Sequence, residues 1–167
     1  MMGRFRRLAR DPNGTAAAEM ALTLPIFVVL LFGAADLGNY FHKEHVVVGA
    51  VRDGARFAAR QSFDNVACDA VDSTTETNIK RATRLLAPAL ADTAANRRIA
   101  YWDDDSTVTV SVSCPDNDSF SGLYGDMEEL PRVRVEAEVG YESLFSAFGL
   151  NPTLNIRAAS EAAVIGG

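Results

Sequence analysis

Two histidines, His42 and His45, stand three residues apart in the stretch "FHKEH" and could in principle bind a metal ion. Two histidines on adjoining helical turns can bind zinc, but a catalytic centre also requires a third ligand and a general base at a workable spacing. The sequence offers no such set around them. The pattern therefore favours solvated histidines, and we predict neither a metal site nor a cofactor.

Two runs of aspartate are the other candidates for metal binding. Asp103–Asp105 and Asp116–Asp118 are rich in oxygen ligands, which hard cations such as calcium prefer. The second run does not fit an EF-hand, because Phe120 stands where an oxygen ligand belongs and no glutamate occupies the twelfth position. Both runs are typical of solvated acidic turns. We also find no nucleophile–base arrangement and no phosphate loop, so we predict no catalytic residues and no enzyme.

A single carboxylate, Glu19, interrupts the most apolar stretch of the chain. Thr15 to Ala35 comprises 21 residues in which Glu19 is the only charge. As a helix this stretch would be about 30 Å long, the thickness of a bilayer core. A cleaved secretory signal is the alternative, although the apolar run is long for one and the stretch "FGAADLG" makes a poor cleavage site.

The charge distribution gives this segment an orientation. Of the chain's net charge of −6, the first 14 residues contribute +3 and the remaining 153 contribute −9. The basic residues before the apolar stretch predict a cytoplasmic N-terminus and an external location for everything after Asp36. The acidic body excludes nucleic acid as a partner, because it could not displace counterions from phosphates.

The helix continues beyond the apolar stretch. Apolar residues recur there at helical spacings: Leu37, Phe41, Val48, Val51, Ala55 and Ala58. Pro25 would kink the helix and not end it. We therefore predict one helix over residues 15–60, with a transmembrane segment at 15–35. Its four glycines, Gly33, Gly38, Gly49 and Gly54, either permit close approach of other helices or are simply tolerated.

Residues 61–167 are predicted to form an external α+β domain. A second helix is expected from Thr75 to Leu90, with Ile79, Ala82, Leu86 and Leu90 on one face. Alternating residues predict strands at Ser106–Cys114, Arg132–Tyr141 and Thr153–Val164. Such strands suit a small antiparallel sheet that the long helix covers on one face.

Cys68 and Cys114 are the only cysteines in the chain. In an oxidising external compartment they favour one disulfide bond. The alternative is a pair of free buried thiols.

The N-terminal sequence resembles that of TadE-like proteins, the minor pilins or pseudopilins of the bacterial tight-adherence (Flp-type) pilus. Three features carry the resemblance. The first is a cluster of small residues followed by glutamate and "ALTLP", and the second is the segment Gly33–Tyr40, where the apolar stretch ends. The third is "VRDGARFAAR", Val51 to Arg60. The residues that it marks for helix packing are Pro25, Gly33, Gly38, Arg52, Gly54 and Arg56.

The resemblance implies cleavage by a prepilin peptidase after a glycine, with a glutamate at the fifth mature position. Gly14 would end the leader of residues 1–14, Thr15 would become the N-terminus and Glu19 would be the fifth residue. The new α-ammonium and the carboxylate four residues later share a helical face and can neutralise each other, or a neighbour's group. An ordinary signal anchor with an incidental glutamate is the alternative.

The partners that the resemblance implies are other pilin subunits, the assembly platform and the peptidase. The protein would be located in the bacterial inner membrane, which it would cross once, with a periplasmic C-terminal domain; it would either enter the pilus fibre or prime its assembly from the membrane. Met20 departs from the aromatic residue that major pilins carry there, which favours a minor subunit. The competing hypotheses are a single-pass envelope protein with a non-polymerising binding domain and a membrane-tethered enzyme.

Overall fold

A computed structural model describes residues 12–62, 66, 68, 70–115, 131–149 and 154–165. Its dominant element is the helix α1, Pro12–Ala58, with 47 residues and a length of about 70 Å. Proline suits the first helical position, where its missing N–H would have no partner inside the helix. At the other end, Gln61 N donates to Ala58 O at 3.0 Å, a tightened last turn that satisfies one terminal carbonyl.

The second helix, α2, runs from Ser73 to Arg84 and is shorter than the sequence predicted. Its start is fixed by Asp72, whose carboxylate accepts from the backbone N–H groups of Thr74 and Thr75 at 3.0 and 3.1 Å. The predicted end at Leu90 is wrong. Pro88 has no N–H to offer the carbonyl of Arg84, and that carbonyl instead accepts from Arg98 N at 2.9 Å.

The early end of α2 changes which apolar side chains it buries. Ile79 and Ala82 are buried as expected, but Leu86 and Leu90 lie beyond the helix and are 61% and 37% exposed. Leu85 instead leaves the helix in an extended conformation and forms an isolated bridge with Arg97.

Three strands form one antiparallel sheet in the order β1-β2-β3. They are β1, Val108–Ser113; β2, Arg132–Tyr141; and β3, Leu154–Ala163. The central strand β2 pairs Val135 with Val110 on one side and with Ser160 on the other. Its inward positions Val133, Val135, Ala137 and Val139 are buried, as their alternation predicted. The α+β fold class with a small antiparallel sheet is therefore confirmed.

The buried stripe of α1 differs in part from the predicted one. Val51, Ala55 and Ala58 are buried, but Leu37 and Phe41 are 55% and 49% exposed. The observed stripe follows spacings of three and four along the helix, Val47, Ala50, Val51, Gly54, Ala55 and Ala58. It begins only at Val47, and the apolar residues before it are exposed or half-buried.

The predicted disulfide bond between Cys68 and Cys114 is confirmed. It joins the segment before α2 to the residue that follows β1, and it closes a sequence separation of 46 residues. No free cysteine remains, since the chain has only these two.

The chain divides into two compact units: one comprises Met1–Tyr40 and Ser143–Pro152, the other Phe41–Glu142 and Thr153–Gly167. The first unit contains the apolar half of α1 and a short 3-10 turn, Leu144–Phe148. The second unit contains the rest of α1, α2, a 3-10 turn at Asp105–Thr107 and the sheet.

Candidate functional site: the long N-terminal helix and the residues that support it

The first half of α1 exposes its apolar side chains on every side. Every residue from Thr15 to Phe32 is exposed, and the most apolar 18-residue window of the helix has a mean hydropathy of 2.1 with no residue buried. By length and composition, α1 is the one helix among the described residues that could cross a membrane. A membrane-anchored protein fits this helix.

Glu19 lies on this apolar surface with its side chain exposed. Thr15 stands one turn before it, and the predicted cleavage point between Gly14 and Thr15 falls in the first turn of α1. The first N–H groups of a helix have no partner inside the helix, so this turn is held by fewer backbone hydrogen bonds than the inner turns of α1. Residues 1–11 of the predicted leader lie outside the described residues.

α1 continues through Pro25 without ending. Proline removes the N–H that would reach the carbonyl of Ala21. The Thr23 hydroxyl donates to Glu19 O at 3.1 Å and to Met20 O at 3.3 Å, one turn before the proline. The Thr23 hydroxyl is therefore bonded to the carbonyls of Glu19 and Met20, and not to the carbonyl of Ala21 that Pro25 leaves without an N–H partner.

The two glycines at the exit of the apolar stretch leave open space beside the helix. A Cβ atom built on Gly33 or Gly38 would have no neighbour within 4 Å. No residue that the structure describes therefore requires glycine at either position. Both places are free for the close approach of another helix.

Gly54, in contrast, is required by packing within the chain. A Cβ atom there would overlap the hydroxyl oxygen of Thr83 on α2 and would lie 3.5 Å from Val135 on β2. Thr83 is fully buried and its hydroxyl donates to Ile79 O at 2.9 Å. The glycine of the "VRDGARFAAR" stretch therefore lets α1 approach both α2 and the sheet.

The charged residues of the same stretch point outward. Arg52 and Arg56 are exposed, whereas Asp53 forms an ion pair with Arg98 at 2.9 Å. The pair with Arg98 was not foreseen, because the two residues are far apart in sequence and no local pattern links them. Arg52 and Arg56 keep their predicted packing role as a hypothesis about other subunits.

A buried arginine, Arg84, connects three segments of the second unit. Its side chain is 1% exposed and donates to Asp105 at 2.6 Å, to Asp92 at 2.7 Å and to the carbonyl of Trp102 at 2.8 Å. Burial opposes its charge, but the hydrogen bonds and charges of the two aspartates outweigh this effect and raise the pKa of Arg84. Sequence reasoning missed this cluster, since an arginine at a helix end is ordinarily solvated.

The acidic run Asp103–Asp105 has structural roles in this unit. Asp105 pairs with Arg84, while Asp104 caps the following 3-10 turn and accepts from Ser106 N at 2.7 Å. The hydrogen bonds from Ser106 lower the pKa of Asp104. The second run, Asp116–Asp118, lies outside the described residues.

Between the two histidines lies Lys43, whose ammonium group contacts two tyrosine rings. Lys43 Nζ lies 4.6 Å from the ring centre of Tyr101 and 5.2 Å from that of Tyr141, distances typical of cation–π contacts. His42 and His45 are both exposed. Among the residues that the structure describes, no cluster of His, Cys, Asp or Glu could hold a metal ion.

The sheet has a shallow depression of about 490 Å³, lined in part by charged side chains. These charges pair among themselves: Arg134 with Glu136 at 2.5 Å, and Arg157 with Glu138 at 2.8 Å. The hydrogen bond from Arg157 lowers the pKa of Glu138. Because these charges are already compensated, the depression offers no charged group that awaits a ligand.

Comparison with known proteins adds one finding. Residues 14–56 match the model of the family described as TadE-like protein, over about a quarter of the chain. Searches of the curated proteins and of the solved structures found no match. The matched range contains the apolar segment, Glu19, Pro25 and the stretch around Gly54, so the resemblance read from the sequence is confirmed there.

Proposed function

We propose that this chain, whose residues 14–56 carry the TadE-like sequence, is a minor pilin or pseudopilin of a tight-adherence pilus. It is a structural subunit and not an enzyme. In this proposal residues 1–14 are a cytoplasmic leader, residues 15–60 form the long helix with the segment 15–35 in the inner membrane, and residues 61–167 form a periplasmic domain. Its partners are other pilin subunits, the assembly platform and a prepilin peptidase.

The observation that carries the proposal is the complete exposure of the apolar first part of α1, which contains one carboxylate. Thr15 to Phe32 are exposed all round, and Glu19 is the only charged residue among them. Transfer of an unpaired carboxylate into lipid is costly. A positively charged partner for Glu19 must therefore come from outside residues 15–32, or from a new terminal amine created when the chain is cleaved before Thr15.

Cleavage between Gly14 and Thr15 supplies that partner. It creates an α-ammonium at Thr15, one helical turn from Glu19 and on the same face. In a fibre of staggered helices, the same carboxylate can pair with the terminal amine of a neighbouring subunit. Pairing offsets the cost of burying both charges and so favours assembly.

Residues 33–56 of the matched range support a packing role for the helix. Gly33 and Gly38 leave room for another helix, and the exposed Arg52 and Arg56 lie on the part of α1 whose opposite face is buried. We assign these four residues, with Pro25, to contacts between subunits. Gly54 packs within the chain and shapes the domain that α1 supports.

The mature N-terminus tests the proposal. The full chain is produced in bacteria with an active or an inactive prepilin peptidase, and the intact mass of the membrane-bound form is measured. We expect a chain that begins at Thr15 with the active peptidase and one that keeps its leader without it. Gly14→Val should block cleavage, whereas Gly33→Val, on the same helix, should not.

Other results would favour the competing hypotheses. A leader that persists beside an active peptidase indicates an ordinary signal anchor and a non-polymerising envelope protein. A mature chain that begins beyond Ala35 indicates a cleaved secretory signal and a secreted domain. Either result overturns the pilin proposal.

A further inference from the structure

The start of the 3-10 turn Leu144–Phe148 is hydrogen-bonded to α1 through the carboxylate of Asp36. Asp36 accepts a hydrogen bond from Ser143 Oγ at 2.8 Å and from Leu144 N at 2.6 Å. Ser143 is itself 4% exposed, and its hydroxyl accepts from Phe145 N at 3.1 Å. The start of the turn is thus held against one residue of the helix.

That residue marks the end of the apolar stretch. Asp36 is the first charged residue after Glu19 and directly follows the predicted membrane segment Thr15–Ala35. With this segment in the bilayer, Asp36 lies where hydrocarbon gives way to the outer headgroups. The hydrogen bonds of Asp36 therefore bring the turn to the same depth.

The composition of the turn suits this depth. In a chain of which 23% of the residues are charged, none of the residues from Ser143 to Ile156 carries a charge. Leu144 exposes 44% of its surface, and Leu37, one residue after Asp36 on the helix, exposes 55%. Apolar side chains of this kind on an otherwise acidic protein are typical of segments that lie at the boundary between headgroups and acyl chains.

The backbone of the turn limits how deep it can lie. Irregular backbone exposed to hydrocarbon leaves N–H and C=O groups without partners, whereas the headgroup region retains water. The turn therefore suits the interface and not the bilayer core. The exposed side chain of Leu144 can enter the upper acyl region while the backbone of the turn stays hydrated.

We infer that the turn Leu144–Phe148 is a second membrane contact, in which Leu144 enters the outer interface and Asp36 sets its depth. The occupant of this apolar surface is lipid and not the helix of a neighbouring subunit. The inference rests on the membrane-spanning helix of the proposed function. It adds a contact that fixes the chain against rotation and vertical movement in the membrane.

Depth-dependent fluorescence quenching tests the inference on the full chain. Because both native cysteines form the disulfide bond, a cysteine introduced at Leu144, Val29 or Thr109 can be labelled alone with an environment-sensitive nitrobenzoxadiazole dye. The labelled protein is reconstituted in phosphatidylcholine–phosphatidylglycerol vesicles whose lipids carry a nitroxide at the fifth acyl carbon. We expect blue-shifted, quenched emission at residues 29 and 144, and water-like, unquenched emission at the exposed residue 109.

The outcomes separate this inference from the proposed function. Quenching at residue 29 but not at residue 144 overturns the inference and leaves the spanning helix intact. Blue-shifted emission at residue 144 without quenching places the turn against protein and overturns it as well. Absence of quenching at residue 29 removes the membrane span itself, and the proposed function falls together with the inference.

A second variant tests the role of Asp36. In the chain labelled at residue 144, Asp36→Ala should abolish the quenching there, while a label at residue 29 stays quenched. Asp53→Ala removes another carboxylate from α1, one that pairs with Arg98, and should leave both signals unchanged. If quenching at residue 144 survives Asp36→Ala, the carboxylate does not set the depth of the turn.

Discussion

Gly54 and Thr83 lie so close together that any side chain at residue 54 would overlap the Thr83 hydroxyl. The contact joins α1 to α2 at a position where Thr83 is fully buried. It explains a glycine in the middle of a helix, where glycine would otherwise cost about 1 kcal/mol relative to alanine.

We therefore expect Gly54→Ala to lower the free energy of unfolding by about 1–3 kcal/mol, because the added methyl group overpacks a close contact. Chemical denaturation of the full chain in detergent measures this. Gly49→Ala is the matched control on the same helix: its Cβ would meet nothing within 4 Å, so it should be neutral or slightly stabilising. Equal effects of the two substitutions would contradict the packing argument.

The geometry of Arg84 gives a second prediction. Arg84→Lys keeps the charge but cannot reach Asp92, Asp105 and the Trp102 carbonyl at once, so we expect a loss of about 2 kcal/mol in unfolding free energy. Arg157→Lys is the control, since Arg157 is 74% exposed and its pair with Glu138 is solvated. An unchanged free energy of unfolding for Arg84→Lys would show that the stability of the buried cluster does not depend on the several hydrogen bonds of the guanidinium group.

Acid should weaken the same cluster. Hydrogen bonds from Arg97 and Arg84 lower the pKa of Asp92 below its ordinary value of 3.8, so the ionised carboxylate stabilises the fold above that pH. This contribution to stability is lost as the pH falls from 3.8 towards the lower pKa that Asp92 has in the folded protein. Melting temperatures between pH 7 and pH 3 should fall less steeply for Asp92→Asn than for the wild type, with the exposed Asp103→Asn as control. Parallel curves for Asp92→Asn and the wild type would refute the linkage.

Reduction of the disulfide bond should destabilise the second unit. The bond between Cys68 and Cys114 spans 46 residues. By chain entropy, closing such a loop contributes on the order of 4 kcal/mol. We expect the Cys68→Ser/Cys114→Ser double variant to melt at a lower temperature than the oxidised wild type and to match the reduced wild type. Two thiols that react with an alkylating agent in the native protein would show that the bond does not form.

The carboxylate of Glu19 should control assembly and not insertion. We expect Glu19→Gln to abolish incorporation into the sheared pilus fraction, because an amide cannot neutralise the terminal ammonium, while the amount in the membrane stays unchanged. Glu161→Gln, at an exposed position of β3, is the control. Undiminished incorporation of the Glu19→Gln variant into the sheared pilus fraction would refute the charge-pairing argument but would leave the cleavage test unaffected.

Periodicity in the sequence was enough to predict the long helix, the three strands and the inward residues of β2. These features depend on residues close together in the chain, and alternation or helical spacing marks them directly. The disulfide bond was predicted because the chain offers only one possible pair.

The errors occurred where distant residues decide the structure. Pro88 marks locally that α2 cannot continue far, but the carbonyl of Arg84 is satisfied by the N–H of Arg98 from a later segment, and no local pattern marks that partner. The burial of Arg84 depends likewise on Asp105, and the hydrogen bonds of Asp36 on residues 143 and 144. Leu37 and Phe41 were placed on the same helical stripe as Val51 from their spacing alone, and spacing cannot show which residues of a stripe are buried.

The core of the second unit is completed by residues that are synthesised long after the helix they cover. The stripe of α1 meets Val135 at Gly54, and Ile165 N donates to Ala59 O at 2.9 Å, so the last of these contacts forms only once residue 165 is available. Pairings so far apart in sequence form late, because the intervening chain must be closed first. The helix is therefore synthesised with its apolar stripe uncovered, and the packing around that stripe is completed only after residue 165 has been added to the chain.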